Sequence, residues 1–435
     1  MLAPPMAGED LAEKHLAELH TLAARAGVPN YRLLRRDELI EQIREHGGEE
    51  LLATERGGAE EEERDEETEE SPAAAEPDEE GRRVEAETER VAGVLEVLPQ
   101  RYGFLRLSGL APAVDDVYIS ASQIRRCELR TGDEVTGPAR GPGRGERYRA
   151  LVHVDLVNGG DPSEGDGRPD FDQLTPVAPR RRLGIEPDKA DVLTRAVDLL
   201  VPLAYGQRLL VRAAPRSGRT TLLRGLGGAI QALDRGPGAV VLLVDERPEE
   251  ATTWIEALPQ AEIAAATADM SPADQRRTAD LALARAKRRA ESGEDVALIC
   301  DSLSRLAVAH GDTGPAKALF GAGRELAEER AGSLTVIATA LEGSADEQDA
   351  VTAVATTENA LVRLDPALAA AGVYPALRPE DCRASDEEAL REPEELEAVR
   401  RLRASLAGLD PEVAAATLRE RLESSRTNAE LLASL

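Results

Sequence analysis

The chain has 435 residues, enough for two or three domains, and a formal net charge of −29 that excludes an evenly basic nucleic-acid-binding surface. Three widely spaced cysteines (Cys127, Cys300 and Cys382) and five scattered histidines exclude a disulfide framework and a metal-binding motif. The first ten residues lack the apolar core of a signal peptide, and no apolar run approaches the roughly 20 residues that span a bilayer. We therefore expect a cytoplasmic protein without membrane contacts.

Residues 1–48 have the spacing of two short helices. Leu16, Leu19 and Leu22 fall on one helical face, and Pro29 follows the first helix. This pattern predicts a small helical N-terminal domain. A hairpin that serves only packing is an equally good interpretation of this segment.

Residues 49–90 form an acidic segment in which 19 carboxylates accompany five arginines and large apolar residues are scarce. The segment carries a charge of −14, about half of the total, so the rest of the chain is only moderately acidic. It cannot bury enough apolar surface to offset the entropy of ordering. We predict a disordered linker that acts as a solvated tether, and the alternative is that it competes with RNA for basic surfaces.

Residues 91–160 contain five short strand-like runs separated by Gly, Pro and Asp. The runs are VAGVLEVL, YGFLRL, DDVYIS, DEVTGPAR and YRALVHVDLV. This spacing predicts a small antiparallel barrel of the oligonucleotide-binding (OB) kind. Its aromatic residues and neighbouring arginines are Tyr102, Phe104, Tyr118, Tyr148, Arg106, Arg125, Arg126 and Arg147. Such residues stack bases and bind phosphates, which favours single-stranded RNA or DNA as a ligand over a role of the aromatics in the barrel core.

Residues 161–180 are rich in Gly, Asp and Pro, which predicts a connector. Strand-like and helical runs then alternate within residues 181–435. The strand candidates are RLLVRA, AVVLLVDE, EIAAATA, DVALICDS, LTVIATAL and NALVRLD. This alternation predicts a parallel α/β sheet covered by helices.

The stretch from Val211 to Leu223, VRAAPRSGRTTLL, has the layout of a phosphate-binding loop between a strand and a helix. The usual pattern has Lys where this chain has Arg219, and its first Gly is replaced by Ala213. An ordinary strand-to-helix turn is the alternative. The candidate nucleotide-binding residues are Ala214, Pro215, Arg216, Ser217, Gly218, Arg219, Thr220 and Thr221, and Arg219 is also a candidate catalytic residue.

Two further strand candidates end in acidic residues, Asp245-Glu246 after AVVLLV and Asp301 after VALIC. The carboxyl ends of parallel strands share one edge of a sheet, where such folds bind ligands. We expect Thr220 and Asp301 to serve Mg²⁺ bound with ATP, and Glu246 to orient the attacking water. Each acid taken singly is equally well explained as a helix cap.

Several strings resemble the family of bacterial transcription termination factor Rho. VLEVLPQRYGFLR, DDVYISASQIRR, LRTGD and GERY resemble its cold-shock-like RNA-binding barrel. LLVDERPEEAT, DSLSRLA, GSLTVIATAL and SRTNAELL resemble its motor domain, a RecA-like α/β P-loop ATPase domain. With the two-helix start, the resemblance covers nearly the whole chain in order. It implies a hexameric ring that binds single-stranded RNA, hydrolyses ATP between subunits and translocates to dislodge RNA polymerase from the elongation complex.

The resemblance also implies roles for individual residues. Glu246 would be the catalytic base, Tyr374 would stack on adenine, and Arg305 would belong to the network that couples RNA and the subunits. The residues implied for the primary RNA site are Tyr102, Phe104, Arg106, Asp116, Tyr118, Glu146 and Tyr148.

The chain departs from the family pattern at several functional positions. Arg219 and Arg216 replace the loop lysines, Gly372 replaces an intersubunit Arg, and Ser385 stands at the arginine-finger position, where we expect nearby Arg383 to substitute. One pore loop is reduced to HGDTGPAKALFGAGR, and the other, GSADEQDAV, is acidic. Two hypotheses follow, namely an RNA-dependent ATPase that terminates transcription and a paralogue that binds RNA without productive hydrolysis.

Overall fold

The structure is a computed structural model that describes residues 40, 42, 88–143, 145–162, 168–186 and 191–435. The predicted helical domain therefore lies outside the described residues except for Ile40 and Gln42, which are helical, and almost all of the predicted linker lies outside them too. The chain divides into two units, Met1–Asp78 and Glu79–Leu435, and only the second is described further. Within the described part of the chain, no helix has the length and apolar character to cross a membrane.

A closed barrel occupies the start of the second unit. Its elements are β1 (Thr88–Val97), β2 (Gly103–Arg106), β3 (Val117–Ile119), α1 (Ala121–Arg126), β4 (Glu134–Arg140), β5 (Arg149–Leu151) and β6 (Leu156–Val157). The predicted linker ends too late, because Thr88–Arg90 already pair with residues 138–140 as the start of β1. The fifth predicted run is divided between β5 and β6.

Strand pairing closes the barrel, because β1 pairs with both β2 and β4 and β5 pairs with both β3 and β4. The prediction of a wholly antiparallel barrel is wrong at one place, since β3 and β5 are parallel. Helix α1 lies between β3 and β4 in sequence, and its capping residue Ser120 accepts a hydrogen bond from the Gln123 amide. The Gln123 side chain donates to the carbonyls of Leu151 and Val152, which ties α1 to β5.

A mostly parallel sheet forms the centre of the second domain. Six parallel strands lie side by side in the order β12-β11-β13-β15-β10-β16, and all six predicted strands are confirmed. The remaining strands are antiparallel additions or a separate pair. The strands are β7 (Pro176–Val177), β8 (Arg182–Leu183), β9 (Leu203–Ala204), β10 (Arg208–Ala213), β11 (Gly238–Glu246), β12 (Glu262–Thr267), β13 (Asp295–Asp301), β14 (Arg324–Leu326), β15 (Ser333–Leu341), β16 (Ala360–Arg363) and β17 (Arg383–Ala384).

Helices cover both faces of this sheet. They are α2 (Val192–Leu200), α3 (Arg219–Gln231), α4 (Pro248–Ala257), α5 (Pro272–Glu291), α6 (Leu303–His310), α7 (Gly314–Gly321), α8 (Ala345–Val354), α9 (Pro366–Ala370), α10 (Glu387–Leu390), α11 (Pro393–Leu406), α12 (Pro411–Glu423) and α13 (Asn428–Ala433). Along β11, Val241 and Leu243 pack with α3 on one face, and Val240 and Leu242 pack with α5 on the other. This alternation of faces is the reason that the strand reads as a continuous apolar run.

The two segments that depart from the family's pore loops are both helical. HGDTGPAKALFGAGR contains α7, which buries Leu319 and Phe320 against the sheet. GSADEQDAV contains the start of α8, where Ser344 and Glu347 form a reciprocal capping box. Their acidic and apolar residues therefore stabilise local helices.

Candidate nucleotide site and nucleic-acid interface

The phosphate-loop candidate joins buried strand β10 to helix α3. Gly218 is the N-cap of α3 and has a φ of 93°, a left-handed conformation that favours glycine. The loop is closed by Ser217, whose amide and hydroxyl both donate to the Ala214 carbonyl. Because no side chain caps α3, its first-turn amides are available to an anion. The exposed loop positions are Pro215, Arg216, Gly218 and Thr221.

The structure brings Thr220 and Asp301 together at the carboxyl edge of the sheet. The Thr220 hydroxyl donates to Asp301 Oδ2 at 3.2 Å, and the Thr339 hydroxyl donates to Asp301 Oδ1 at 2.8 Å. Asp301 is fully buried. Sequence reasoning missed Thr339, although a hydroxyl within the apolar run VIATAL was the available signal.

Glu246 lies beside this pair and is contacted by two guanidinium groups. Its Oε1 is 2.5 Å from Arg219 Nη2 and 2.5 Å from Arg305 Nη1, and Arg305 also donates to the Asp245 carbonyl at 2.7 Å. Burial raises the pKa of Glu246, nearby Asp301 adds to this increase, and Arg219 and Arg305 oppose it. The predicted coupling residue Arg305 therefore directly restrains the predicted base.

The donor set at this edge suits a hard cation. A threonine hydroxyl and a carboxylate are oxygen ligands of the kind that Mg²⁺ takes together with nucleotide phosphates. In this structure the Arg219 Nε lies 3.5 Å from Asp301 Oδ1, so the Arg219 guanidinium contacts both acids. Among the residues that the structure describes, no group of three or more His, Cys, Asp or Glu is arranged to hold a metal ion.

The Arg219 guanidinium contacts Glu246 and Asp301, and we expect it to hinder the binding of ATP at this position. Replacing it by lysine should lower the ATP dissociation constant about three- to tenfold, because a compact ammonium group cannot bridge Glu246 and Asp301 as the guanidinium fork does. Isothermal titration calorimetry on the full chain measures this constant. Arg224→Lys, further along α3, is the matched control. Equal or weaker ATP binding by Arg219→Lys would contradict this prediction. It would mean that the attraction between the guanidinium and the phosphates exceeds the cost of breaking its ion pairs with Glu246 and Asp301.

Arg383 and Tyr374 lie on the surface of the same domain. The Arg383 side chain is 62% exposed and pairs with Glu358 at 2.9 Å, and its strand β17 extends the sheet beyond β16. Tyr374 is 43% exposed. The ion pair of the Arg383 guanidinium is with Glu358 and not with the phosphate loop, and its role as a finger remains a prediction.

The predicted aromatic residues of the barrel form one patch. Phe104 on β2 and Tyr118 on β3 are cross-strand partners with ring centroids 6.1 Å apart, and Tyr148 packs on Phe104 at 4.8 Å. Tyr102 contacts both Phe104 and Tyr118 but is itself buried. The Arg147 guanidinium lies 5.4 Å from the Tyr148 ring centroid.

Three charged residues predicted to line the RNA site have partners within the barrel. Arg106 is 4% exposed and pairs with Glu96 and Asp116, so it lies beside Phe104 as a buried residue and not as an exposed cation. Burial raises the pKa of Asp116, against the opposing effects of the Ala113 amide and Arg106. Glu146 accepts two hydrogen bonds from Arg140, which lower its pKa to about 2. Arg125 and Arg126 are exposed at the end of α1.

Known protein domains match three parts of the chain. Residues 10–47 match the Rho termination factor N-terminal domain and residues 91–163 its RNA-binding domain. Residues 194–318 match the nucleotide-binding domain of the ATP synthase alpha/beta family. A solved structure of a prototypical ATPase from the type III secretion system of pathogenic bacteria is 20% identical with a TM-score of 0.48, over 60% of this chain and 86% of that chain.

Curated relatives extend the similarity beyond single domains. The transcription termination factor Rho of Aquifex aeolicus is 34% identical over 98% of this chain and 94% of that protein. Those of Streptomyces lividans and Mycobacterium tuberculosis (strain ATCC 25618 / H37Rv) are 38% and 36% identical over 79% of this chain. The chain spans only 51% and 60% of the length of these two relatives.

The domain matches and the relatives agree with the fold. The expected OB-type barrel and the nucleotide-binding α/β domain are both confirmed. The Aquifex relative matches almost end to end, which confirms the family resemblance. The chain therefore belongs to the family of transcription termination factor Rho.

Proposed function

We propose that this chain is an RNA-dependent ATPase that terminates transcription, by binding single-stranded RNA, moving along it and releasing it from the RNA polymerase elongation complex. The observation that carries the proposal is the meeting of Thr220, Asp301 and Glu246 at one sheet edge, beside a phosphate loop. The same unit of the chain carries the aromatic patch of the barrel. The similarity to proteins named transcription termination factor Rho supports termination as the purpose of this activity.

The nucleotide chemistry follows from the loop and the strand ends. The first-turn amides of α3 bind the phosphates, and Tyr374 stacks on the adenine. Bound Mg²⁺ would neutralise phosphate charge, with Thr220 and Asp301 as its protein contacts. Glu246 orients the attacking water and accepts its proton, and Arg305 keeps the Glu246 carboxylate in place.

The proposed assembly is a hexameric ring that works in the cytoplasm. In such a ring the exposed Arg383 reaches the nucleotide bound by a neighbouring subunit and stabilises the charge that develops during phosphoryl transfer. Its pairing with Glu358 leaves the guanidinium accessible, since the side chain is mostly exposed.

RNA binding is proposed for the aromatic patch of the barrel. Phe104, Tyr118 and Tyr148 offer partly exposed rings for stacked bases. Exposed Arg125, Arg126 and Arg147 supply charge for the phosphates.

The decisive experiment measures ATP hydrolysis by the full chain with and without C-rich single-stranded RNA. We expect RNA to stimulate turnover, and the increase to disappear in Glu246→Gln. The competing hypothesis, a paralogue that binds RNA without productive hydrolysis, predicts tight RNA binding and no turnover above the Glu246→Gln background. That second result would overturn the proposed function.

A further inference from the structure

Four alternating charges connect the barrel to a helix of the ATPase domain. Asp116 pairs with Arg106 Nη1, and Arg106 Nη2 pairs with Glu96 Oε2. The other oxygen of Glu96 accepts a hydrogen bond from Arg277 Nε at 2.9 Å. Arg277 lies on α5, 181 residues after Glu96 in the chain. The row of charges thus crosses from one domain to the other.

The same row borders the aromatic patch. Glu96 on β1 is the cross-strand partner of Phe104 on β2, and Phe104 is the partner of Tyr118 on β3. Cross-strand partners project from the same face of a sheet, so Glu96 shares the face of the two rings. Arg106, two residues after Phe104, is also on this face, with its guanidinium carbon 5.8 Å from the Phe104 ring centroid.

Three of the four side chains in this row are buried, so their charges need partners of opposite sign in place of water. The side chains of Asp116, Arg106 and Glu96 are each at most 7% exposed, whereas that of Arg277 is 42% exposed. The two acids and two arginines of this row balance in charge, and Arg277 Nη1 also lies 3.6 Å from Asp274 Oδ1 on its own helix. Without Arg277, two buried carboxylates would share the single guanidinium of Arg106.

We propose that Arg277 is a positioning residue for the RNA site, which holds Glu96 so that Arg106 supports Phe104 and Asp116 in their binding arrangement. The proposal rests on the proposed binding of RNA to the barrel. Its consequence is that a residue of the ATPase domain, outside the aromatic patch, sets the affinity of the barrel for RNA.

The test measures the affinity of the full chain for a labelled oligocytidylate by fluorescence anisotropy. Arg277→Gln is expected to weaken binding about tenfold, the order that the loss of one charge-assisted hydrogen bond gives. Arg277→Lys should retain most of the affinity because it keeps the charge. Arg289→Gln is the matched control, since Arg289 lies on the same helix and pairs with Glu262 and Glu294 of its own domain.

Glu96→Gln separates positioning from simple charge attraction. Removing a negative charge near RNA should tighten binding if only long-range attraction matters. Positioning predicts the opposite, a loss of about fivefold or more, because Arg106 loses one of its two carboxylate partners. The salt dependence gives a second readout: a direct Arg277–phosphate contact would reduce the slope of log affinity against log salt by about 0.7 in Arg277→Gln, whereas positioning leaves the slope unchanged.

The outcomes distinguish the two proposals. Wild-type chain that fails to bind the oligonucleotide overturns the proposed function and the positioning role together. Three other results, each with normal binding by the wild-type chain, would overturn the positioning role alone. They are unchanged affinity in Arg277→Gln, tighter or equal binding in Glu96→Gln, and a reduced salt slope in Arg277→Gln. The ATP affinity is expected to stay at the wild-type value in Arg277→Gln, since the partners of Arg277, Glu96 and Asp274, lie outside the phosphate loop.

Discussion

Glu246→Gln is expected to lower RNA-stimulated ATP turnover by about 100-fold or more while ATP still binds. The amide cannot accept a proton from water, yet it has the size of the carboxylate. It also loses the charge that attracts Arg219 and Arg305, so both guanidinium groups are released toward the phosphates. Steady-state phosphate release reports turnover, and calorimetry reports ATP binding.

A matched control is available three residues further along the chain. Glu249 on α4 is also a glutamate, but its side chain is 70% exposed and makes only a long contact with Arg247. Glu249→Gln should therefore hydrolyse ATP at the wild-type rate. Turnover by Glu246→Gln equal to that of Glu249→Gln would remove Glu246 from the reaction.

The double substitution Phe104→Ala with Tyr118→Ala is expected to weaken RNA binding by about 2–4 kcal/mol, which is roughly 30- to 1000-fold. Each ring offers a face for one base. The two losses should not add fully, because the rings contact one another and removing either one changes the position of the other. Fluorescence anisotropy with single-stranded RNA measures the loss, and the two single variants measure the coupling.

Tyr205→Ala serves as the control for the barrel variants. Tyr205 is a half-buried aromatic residue of the nucleotide-binding domain, and the Arg181 guanidinium lies 4.4 Å from its ring centroid. Its removal should leave the RNA affinity unchanged. If the barrel double variant binds RNA as well as Tyr205→Ala does, the RNA site lies elsewhere on the chain.

The strands and the functional residues at their ends could be predicted from the sequence because they depend on local patterns. Apolar runs that end in Asp or in a glycine-containing loop indicated β10, β11 and β13, and the parallel arrangement placed Thr220 and Asp301 at one edge. The alternation and spacing of the barrel runs predicted five strands for the same reason.

The partners of charged side chains could not be predicted in this way. The sequence suggested Arg106 as an exposed phosphate contact, but the structure buries it between two acids that lie 10 residues away on either side. Nothing in the local pattern indicates whether an arginine in a strand faces solvent or a buried carboxylate. That depends on which strands become neighbours and in what register.

The sequence by itself determined the runs of the barrel, the six parallel strands, the loop and the family, because hydrophobic periodicity and short motifs are local properties of the chain. Only the tertiary structure decided that β3 and β5 run parallel, that Arg219 lies across Glu246 and Asp301, and that Arg277 reaches Glu96. The physical reason is that these contacts join residues 27 to 181 positions apart, or strands separated by a helix and another strand. Tertiary packing, within each domain and between them, sets which charges meet, and local propensity does not.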